Sequence, residues 1–191
     1  MLNKTVPEYI KSLLNLPDMG QIGYVVDDVY MSIRERKYNQ QKVPWLVLDH
    51  DHLCLFRGKQ SRCTLRIALT YEGPVQIELI QVCKGETIHT DVTDKSEGSI
   101  HHFGFMVHDL EQRLVHCEQN GVYAIQKGTI KSAGISVDYA YLDTSAIGAP
   151  DLILELIQWH FGPFKMPVNR KIFYMTCFLG SWTVFRGKVI R

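Results

Sequence analysis

Hydrophobic and polar positions alternate along this chain with two periods, and the order in which those periods occur repeats once. After Pro7, the stretch EYIKSLLNL reads as a short leading helix that ends near Pro17. A β-rich run follows at 20–27, and Asp28 stands as an N-cap before VYMSIRERKYN, which carries helical spacing. VPWLVLD at 43–49, CTLRIALTY at 63–71 and VQIELIQV at 75–82 then read as strands, the last two joined through Gly73-Pro74. The first half is thus β-α-β-β-β. A polar stretch follows, carrying Gly85, Lys95, Ser96 and Glu97, and then the same order returns. A strand covers about 100–107, Asp109 caps LEQRLVHCEQN, and Gly121 closes that helix. Strands at about 122–127, 135–142 and 151–158 complete the second half.

The two halves agree in residues as well as in order. VQIELIQV at 75–82 matches LILELIQW at 152–159, with ELIQ identical in both, and QIGYVVDDV at 21–29 matches HFGFMVHDL at 102–110. A repeat of this length indicates a duplicated domain half, since it exceeds the unit of a solenoid. The expected organisation is an N-terminal helix over 1–17, a βαβββ module over 18–84, a linker over 85–98, a second module over 99–161 and an extension over 162–191. That tail has no counterpart in the first half.

Each copy of ELIQ places a carboxylate inside an apolar strand. Side chains alternate along a strand. Glu78 therefore shares a face with Gln76 and Ile80, and Glu155 with Ile153 and Ile157. Leu79 and Leu156 point the other way. Strands apolar on both faces are usually buried on both, and an ionised carboxylate there costs several kcal/mol unless it is paired or coordinated. Pseudo-symmetry brings the two carboxylates together, where they repel. A divalent cation satisfies both, whereas Arg66 is one of few basic side chains nearby. Gln21 and His102 open the first strand of each half and face the same cavity when Gly23 and Gly104 are overlaid. In that register His102, rather than its neighbour His101, faces inward. Gln21, Glu78, His102 and Glu155 offer three oxygens and one nitrogen. That donor set suits Zn, Ni, Co, Mn or Fe(II) with positions left open for substrate. The plain alternative is that Glu78 and Glu155 face water from edge strands.

With these residues in place, the chain resembles the vicinal oxygen chelate superfamily, which includes glyoxalase I, methylmalonyl-CoA epimerase, extradiol dioxygenases and bleomycin-resistance proteins. The resemblance spans about 18–160. The set at 21, 78, 102 and 155 is similar to the metal set of glyoxalase I, and GPVQIELIQ at 73–81 with HHFGFMVHDLE at 101–111 looks like the epimerase-type subfamily. The resemblance implies an α+β fold of two tandem βαβββ modules whose curved mixed sheets form a metal-centred cleft. It also implies a homodimer and a metal-dependent isomerase, epimerase or lyase. In such an enzyme the metal chelates a substrate through vicinal oxygens, and Glu155 or Glu78 abstracts a proton α to a carbonyl, the resemblance favouring Glu155. The alternatives are an extradiol-type dioxygenase and a non-catalytic binder of the bleomycin-resistance type.

Composition narrows the field further. The chain has 191 residues, of which 46% are hydrophobic and 21% charged, which excludes a disordered protein. A formal charge of +1 without a basic stripe argues against nucleic acid. The N-terminus lacks an apolar signal core, and Ile172 to Leu179 is too short for a membrane span of about 20 residues. The five cysteines are scattered without a CxxC, as free thiols in a reducing cytoplasm would be. Cys63 and Cys83 read as buried apolar side chains with no flanking histidine to lower their pKa. Trp45, Tyr139 and Tyr141 read as core or pocket-wall aromatics. The DHDH run at 49–52 reads as a solvated loop at a strand end, because alternating residues cannot easily converge on one ion, although His50 or His52 reaches the pocket mouth.

Overall fold

Strand pairing runs without interruption from one half of the repeat into the other. The computed structural model describes residues 5–39, 43–92, 99–132, 135–166, 170, 171, 173 and 188–190. In chain order the first half gives α1 (Glu8–Leu13), β1 (Gln21–Val25), α2 (Val29–Asn39), β2 (Trp45–Phe56), β3 (Lys59–Glu72) and β4 (Val75–Lys84). The second gives β5 (Ile100–Met106), α3 (Leu110–Gln119), β6 (Tyr123–Ser132), β7 (Ile135–Asp143) and β8 (Ile153–Phe161). Short strands β9 (Phe164–Met166) and β10 (Lys188–Ile190) add to β8 and β2.

The sheet order is β2-β3-β4-β1-β5-β8-β7-β6, and β6 pairs back onto β2 through Cys54–Phe56 and Gln126–Gly128, which closes the sheet on itself. Within each half the first and last strands run parallel, β1 with β4 and β5 with β8. The halves join where β1 meets β5 in antiparallel register. Both β-α-β-β-β successions therefore meet within one chain, as an α+β fold with a curved mixed sheet.

Alternation sorts the side chains into an interior and two exterior layers. Leu65, Ile67 and Leu69 of β3 and Tyr139 and Tyr141 of β7 fill the inside. Outside the first half, Ile77 and Leu79 pack with Val29 and Ile33 of α2 and with Trp45. Outside the second, Leu154 and Leu156 pack with Leu110, Leu114 and Cys117 of α3, with Ile10 of α1 and with Leu14 just past its end. Each such fully buried aliphatic side chain contributes roughly 1.5–3 kcal/mol. Neither β4 nor β8 is an edge: β4 lies between β3 and β1, and β8 between β5 and β7. The water-facing alternative for their glutamates thereby fails.

The tetrapeptide ELIQ has two jobs in each copy. Its glutamate points inward, and its glutamine fastens the helix of its own half. Gln81 Oε1 accepts the Val29 N–H at the start of α2 (3.2 Å), and Gln158 Oε1 accepts the Leu110 N–H at the start of α3 (3.1 Å). Those N–H groups have no partner within the helix.

Several expectations need correction. The DHDH run is no loop: β2 continues through it to Phe56, and a two-residue turn with positive φ at Arg57 and Gly58 returns the chain as β3. In a strand the run splits by face, so Asp49 and Asp51 pair outside with Arg66 (2.8 Å) and Arg62 (2.9 Å). The other two side chains, His50 and His52, turn away from those ion pairs. β6 likewise runs on to Ser132. His102 is the third residue of β5, not its first. Asp28 caps α2 through Met31 N–H (2.9 Å), but Asp109 makes no such bond and holds Arg113 instead (2.9 Å). Cys63 is buried but Cys83 is exposed, at a register shift where Val82 pairs with Leu65 and Lys84 with Thr64. His52 Nε2 lies 4.0 Å from Cys63 Sγ, yet burial pushes that thiol up to about 12. Of the stretch expected as a linker, Thr87, Ile88 and His89 are buried against the interior in a 3₁₀ turn over Ile88–Asp91, while 93–98 lie outside the described residues. Most of the 162–191 tail, Cys177 included, also lies outside them; Phe173 is buried on Tyr71.

Candidate metal centre

The centre forms where β4, β1, β5 and β8 lie side by side, and two glycines make it fit. Across β1 and β4, Gly23 stands opposite Glu78; across β1 and β5 it stands opposite His102. Gly104 of β5 stands between Gln21 and Glu155 in the same way. A Cβ on Gly23 would lie 1.8 Å from His102 Cε1, and one on Gly104 would lie 2.6 Å from Gln21 Oε1. Each glycine therefore vacates the space into which its two neighbours lean.

Glu78, His102 and Glu155 converge, with their ligating atoms within 4.8 Å of one another. His102 Nε2 is 3.3 Å from Glu78 Oε2 and 3.1 Å from Glu155 Oε2. Gln21 lines the same cleft as the two glutamates, and its Nε2 donates to Gln76 Oε1 at 2.9 Å, which turns its Oε1 free. Gln21 Oε1, Glu78 Oε2, His102 Nε2 and Glu155 Oε2 are all buried without a hydrogen-bond partner among the described residues. The close approaches to His102 Nε2 thus lack hydrogen-bond alignment. Four orphaned donor atoms of these types fit a divalent ion. Ligands at about 2.0–2.2 Å from one ion stand about 3.0–3.4 Å apart, the range in which the imidazole and carboxylates already lie.

The electrostatics follow from burial and proximity. Burial opposes charge on His102, but Glu155 and Glu78 outweigh it and lift the imidazole to about 9. Burial raises Glu78, His102 pulls it back, and Glu155 raises it further. The ions therefore share one cavity in which each depends on the others.

Two histidines join this cluster without having been expected. His101 falls at a β-bulge: Gly23 pairs with His102 and Tyr24 with Ile100, so the ladder passes over His101. The bulge keeps both imidazoles buried, with Nδ1 of each 2.9 Å apart. His89 Nε2 lies 3.2 Å from the Tyr141 hydroxyl, and His89 Nδ1 lies 3.0 Å from Thr87 Oγ1. Burial drives both His89 and His101 well below the ordinary imidazole range, so both are neutral. The HH pair in the sequence was a signal for His101. His89 sits among polar residues and carried none. Burial, with the charges of Glu155 and Glu78, holds the Tyr141 phenol well above its usual value.

Above these groups opens a cleft of about 630 Å³, mouth included. Gln76, His50, Trp159 and Tyr139 line it together with the aliphatic side chains of the interior. His50 reaches the cleft as expected; burial and His52 lower its pKa to about 4. Trp45 lies outside, in the layer against α2.

Comparison with known proteins agrees with this fold. Residues 20–141 match the family model described as Glyoxalase/Bleomycin resistance protein/Dioxygenase superfamily. A hypothetical protein from Bacillus halodurans C-125 is similar at 21% identity and TM-score 0.53, covering 73% of this chain and 92% of its own. Methylmalonyl-CoA epimerase from Mycobacterium tuberculosis is similar at 17% identity and TM-score 0.51, covering 74% and 87%. A mutant 4-hydroxymandelate synthase from Streptomyces coelicolor matches at 10% and 0.51, covering 83% of this chain but 52% of its own. No curated protein matches. Among the described residues no helix is long and apolar enough to cross a membrane. With more than half of its length matched by the family model, the chain belongs to the Glyoxalase/Bleomycin resistance protein/Dioxygenase superfamily.

Proposed function

We propose that this chain is a divalent-metal-dependent isomerase, epimerase or lyase that removes a proton α to a carbonyl in a substrate carrying two neighbouring oxygens. The observation that supports it best is the set of four buried, partnerless donor atoms on Gln21, Glu78, His102 and Glu155. These residues would hold Zn, Ni, Co, Mn or Fe(II). Such an ion, when bound, acidifies the C–H next to a chelated carbonyl and stabilises the enolate.

The chain's own groups then divide the work. Glu155 takes the proton and returns it from the carboxylic acid so formed, which keeps the balance of protons, and Glu78 is the alternative base across the site. Tyr141 stands opposite Glu155 on β7 and keeps its own proton, so it acts as a donor rather than a competing base. The apolar walls keep bulk water from quenching the carbanion. Family members include epimerases and dioxygenases. Ring cleavage calls for two imidazoles and one carboxylate on the iron. Two trios converge on His102, one with His89 and His101 and one with Glu78 and Glu155. The second, whose two glutamates line the cleft beside Gln21, has one imidazole and two carboxylates, which favours proton abstraction. The same reading takes the protein as a cytoplasmic homodimer in which each copy carries a whole site.

The test is solvent deuterium exchange at the α-carbon of chelating 2-oxo acids, hydroxyketones and acyl-CoA esters, with metal content measured alongside. Glu155→Gln should slow exchange by about 10²–10⁴-fold, while metal content falls less. Undiminished exchange in that variant would refute the assignment. Protein that neither carries metal nor gains stability from it favours the non-catalytic binder.

A further inference from the structure

The acidic floor is one side of the cleft, and the walls say something separate about the ligand. Leu65, Ile67 and Leu69 project into it from β3 at every second position, and Ile130, Val137 and Ile157 face them from β6, β7 and β8. Among the described residues, no lysine or arginine lines this space. The alternation that turns Leu65 and Ile67 inward turns Arg62 and Arg66 outward, where Asp51 and Asp49 hold them. Two histidines also line it: His89 is turned to the Tyr141 hydroxyl, and burial keeps His50 neutral at ordinary pH.

A tail ending in a carboxylate or phosphate would therefore be stripped of water without meeting a counter-ion, in a cavity already holding two glutamates. Two carboxylates balance one divalent ion, so no surplus positive charge is left to hold such a tail. A hydrocarbon tail meets the opposite situation. Every methylene moved from water onto these walls strengthens binding by roughly fourfold.

We propose that the substrate is electrically neutral: a vicinal hydroxyketone or diketone head carrying an uncharged, chiefly aliphatic tail that lies against Leu65, Ile67, Leu69, Ile130, Val137 and Ile157. The assignment of the head rests on the function proposed above; the tail is argued from the walls alone. The same walls disfavour a tail that carries an anionic group into the cleft.

Two probes of matched length separate these ideas: an aliphatic 1-hydroxy-2-ketone of about eight carbons, and its analogue ending in a carboxylate. Binding to the whole chain is read by calorimetry, with and without metal, and α-deuterium exchange is read on the same samples. The neutral probe should bind at least about tenfold more tightly than the acid, and part of that preference should persist in metal-stripped protein. Ile130→Lys, at a half-buried wall position, should narrow or reverse the preference. Equal or tighter binding of the acid to the wild type overturns the proposal, as does binding of neither probe; both readings are independent of whether the variant folds. Selective binding of the neutral probe without exchange leaves the tail assignment standing and defeats the proposed chemistry. Exchange on the acid alone does the reverse.

Discussion

The two halves of the molecule build the same scaffold and then differ at two positions. Both present a glutamate from the last strand, a glycine opposite it on the first, and a glutamine three residues on that holds the helix. The first difference is Gln21 against His102: an amide that can carry no charge against an imidazole lifted to about 9. The second lies on the neighbouring strands, where Glu78 faces Leu69 but Glu155 faces Tyr141. Duplication explains why four groups converge, and these two exchanges explain why the groups are not equivalent. A hydrocarbon neighbour leaves Glu78 dependent on His102, whereas Glu155 has a phenol beside it as well. That asymmetry is the physical basis for giving Glu155 the moving proton.

The sharpest way to break the comparison is to fill the glycines. On Gly23 a methyl group would strike the His102 ring, at 1.8 Å from Cε1 and 2.3 Å from Nε2. That ring is wholly buried and has nowhere to go. On Gly104 the nearest atom is the end of the Gln21 amide at 2.6 Å, which can swing, although Gln21 Cβ at 2.8 Å cannot easily follow. Gly23→Ala should cost about 3–5 kcal/mol and abolish metal binding, and Gly104→Ala about 1–3 kcal/mol with weakened binding. Denaturant titration with metal analysis checks both. If the two variants prove equally stable, the halves are closer to equivalent than the geometry allows.

Making the halves alike at their first strand is the next test. His102→Gln leaves two buried carboxylates facing two amides. In metal-free protein the folded pKa of His102, about 9, stands above its ordinary 6.5. Its stabilisation is therefore present in full below about 6.5 and lost as pH rises through about 9. A gap of that size corresponds to a contribution on the order of 3 kcal/mol. A metal must displace the same proton, so below about pH 9 its uptake should release about one proton and tighten with rising pH. Both slopes should vanish in His102→Gln. Gln21→His should preserve them, because the carboxylates keep His102. On the acid side the order reverses: His50, His89 and His101 are held neutral, so stability should fall as pH drops below about 6.5, towards about 4 for His50. Metal-free unfolding free energies measured across pH 4–10 would show a maximum between the two flanks; a monotonic curve counts against this account.

Much of this was legible in the chain. The repeat of ELIQ and of the Gly-aromatic strand carried both halves and the four groups, because period-two alternation in a strand with no polar face leaves a carboxylate few destinations. Alternation fails where the backbone departs from it. At His101 the bulge adds one residue, so a side chain that should face out is buried. The turn at Arg57-Gly58 needs positive φ at both residues, and arginine gives no sign of adopting it, so a strand of twelve residues, Trp45–Phe56, looked like a short one ending in a loop. His89 was invisible for a third reason. Its burial comes from Gln126, whose Oε1 accepts from Ile88 N–H (2.9 Å) and Thr87 Oγ1 (2.9 Å) across the interior. Such a contact between distant segments leaves no local pattern.

The smallest expected effect separates the two glutamines that fasten the helices. Gln81 shares its task, since Asp28 Oδ1 already satisfies Met31 N–H at the start of α2. Gln158 works alone, because Asp109 is turned to Arg113 and gives α3 no side-chain cap. Its amide nitrogen also lies 2.9 Å from His160 Nε2, so truncation there removes a side-chain contact as well as the helix fastening. Gln158→Ala should cost about 1.5–2 kcal/mol and Gln81→Ala about 0.5–1. Amide exchange should quicken first at Leu110 in the former and at Val29 in the latter. Removing Asp28 as well sharpens the contrast: in an Asp28→Ala background the loss from Gln81→Ala should grow towards that of Gln158→Ala, and a double-mutant cycle measures the coupling. A coupling near zero would mean that the two helix starts were never fastened differently.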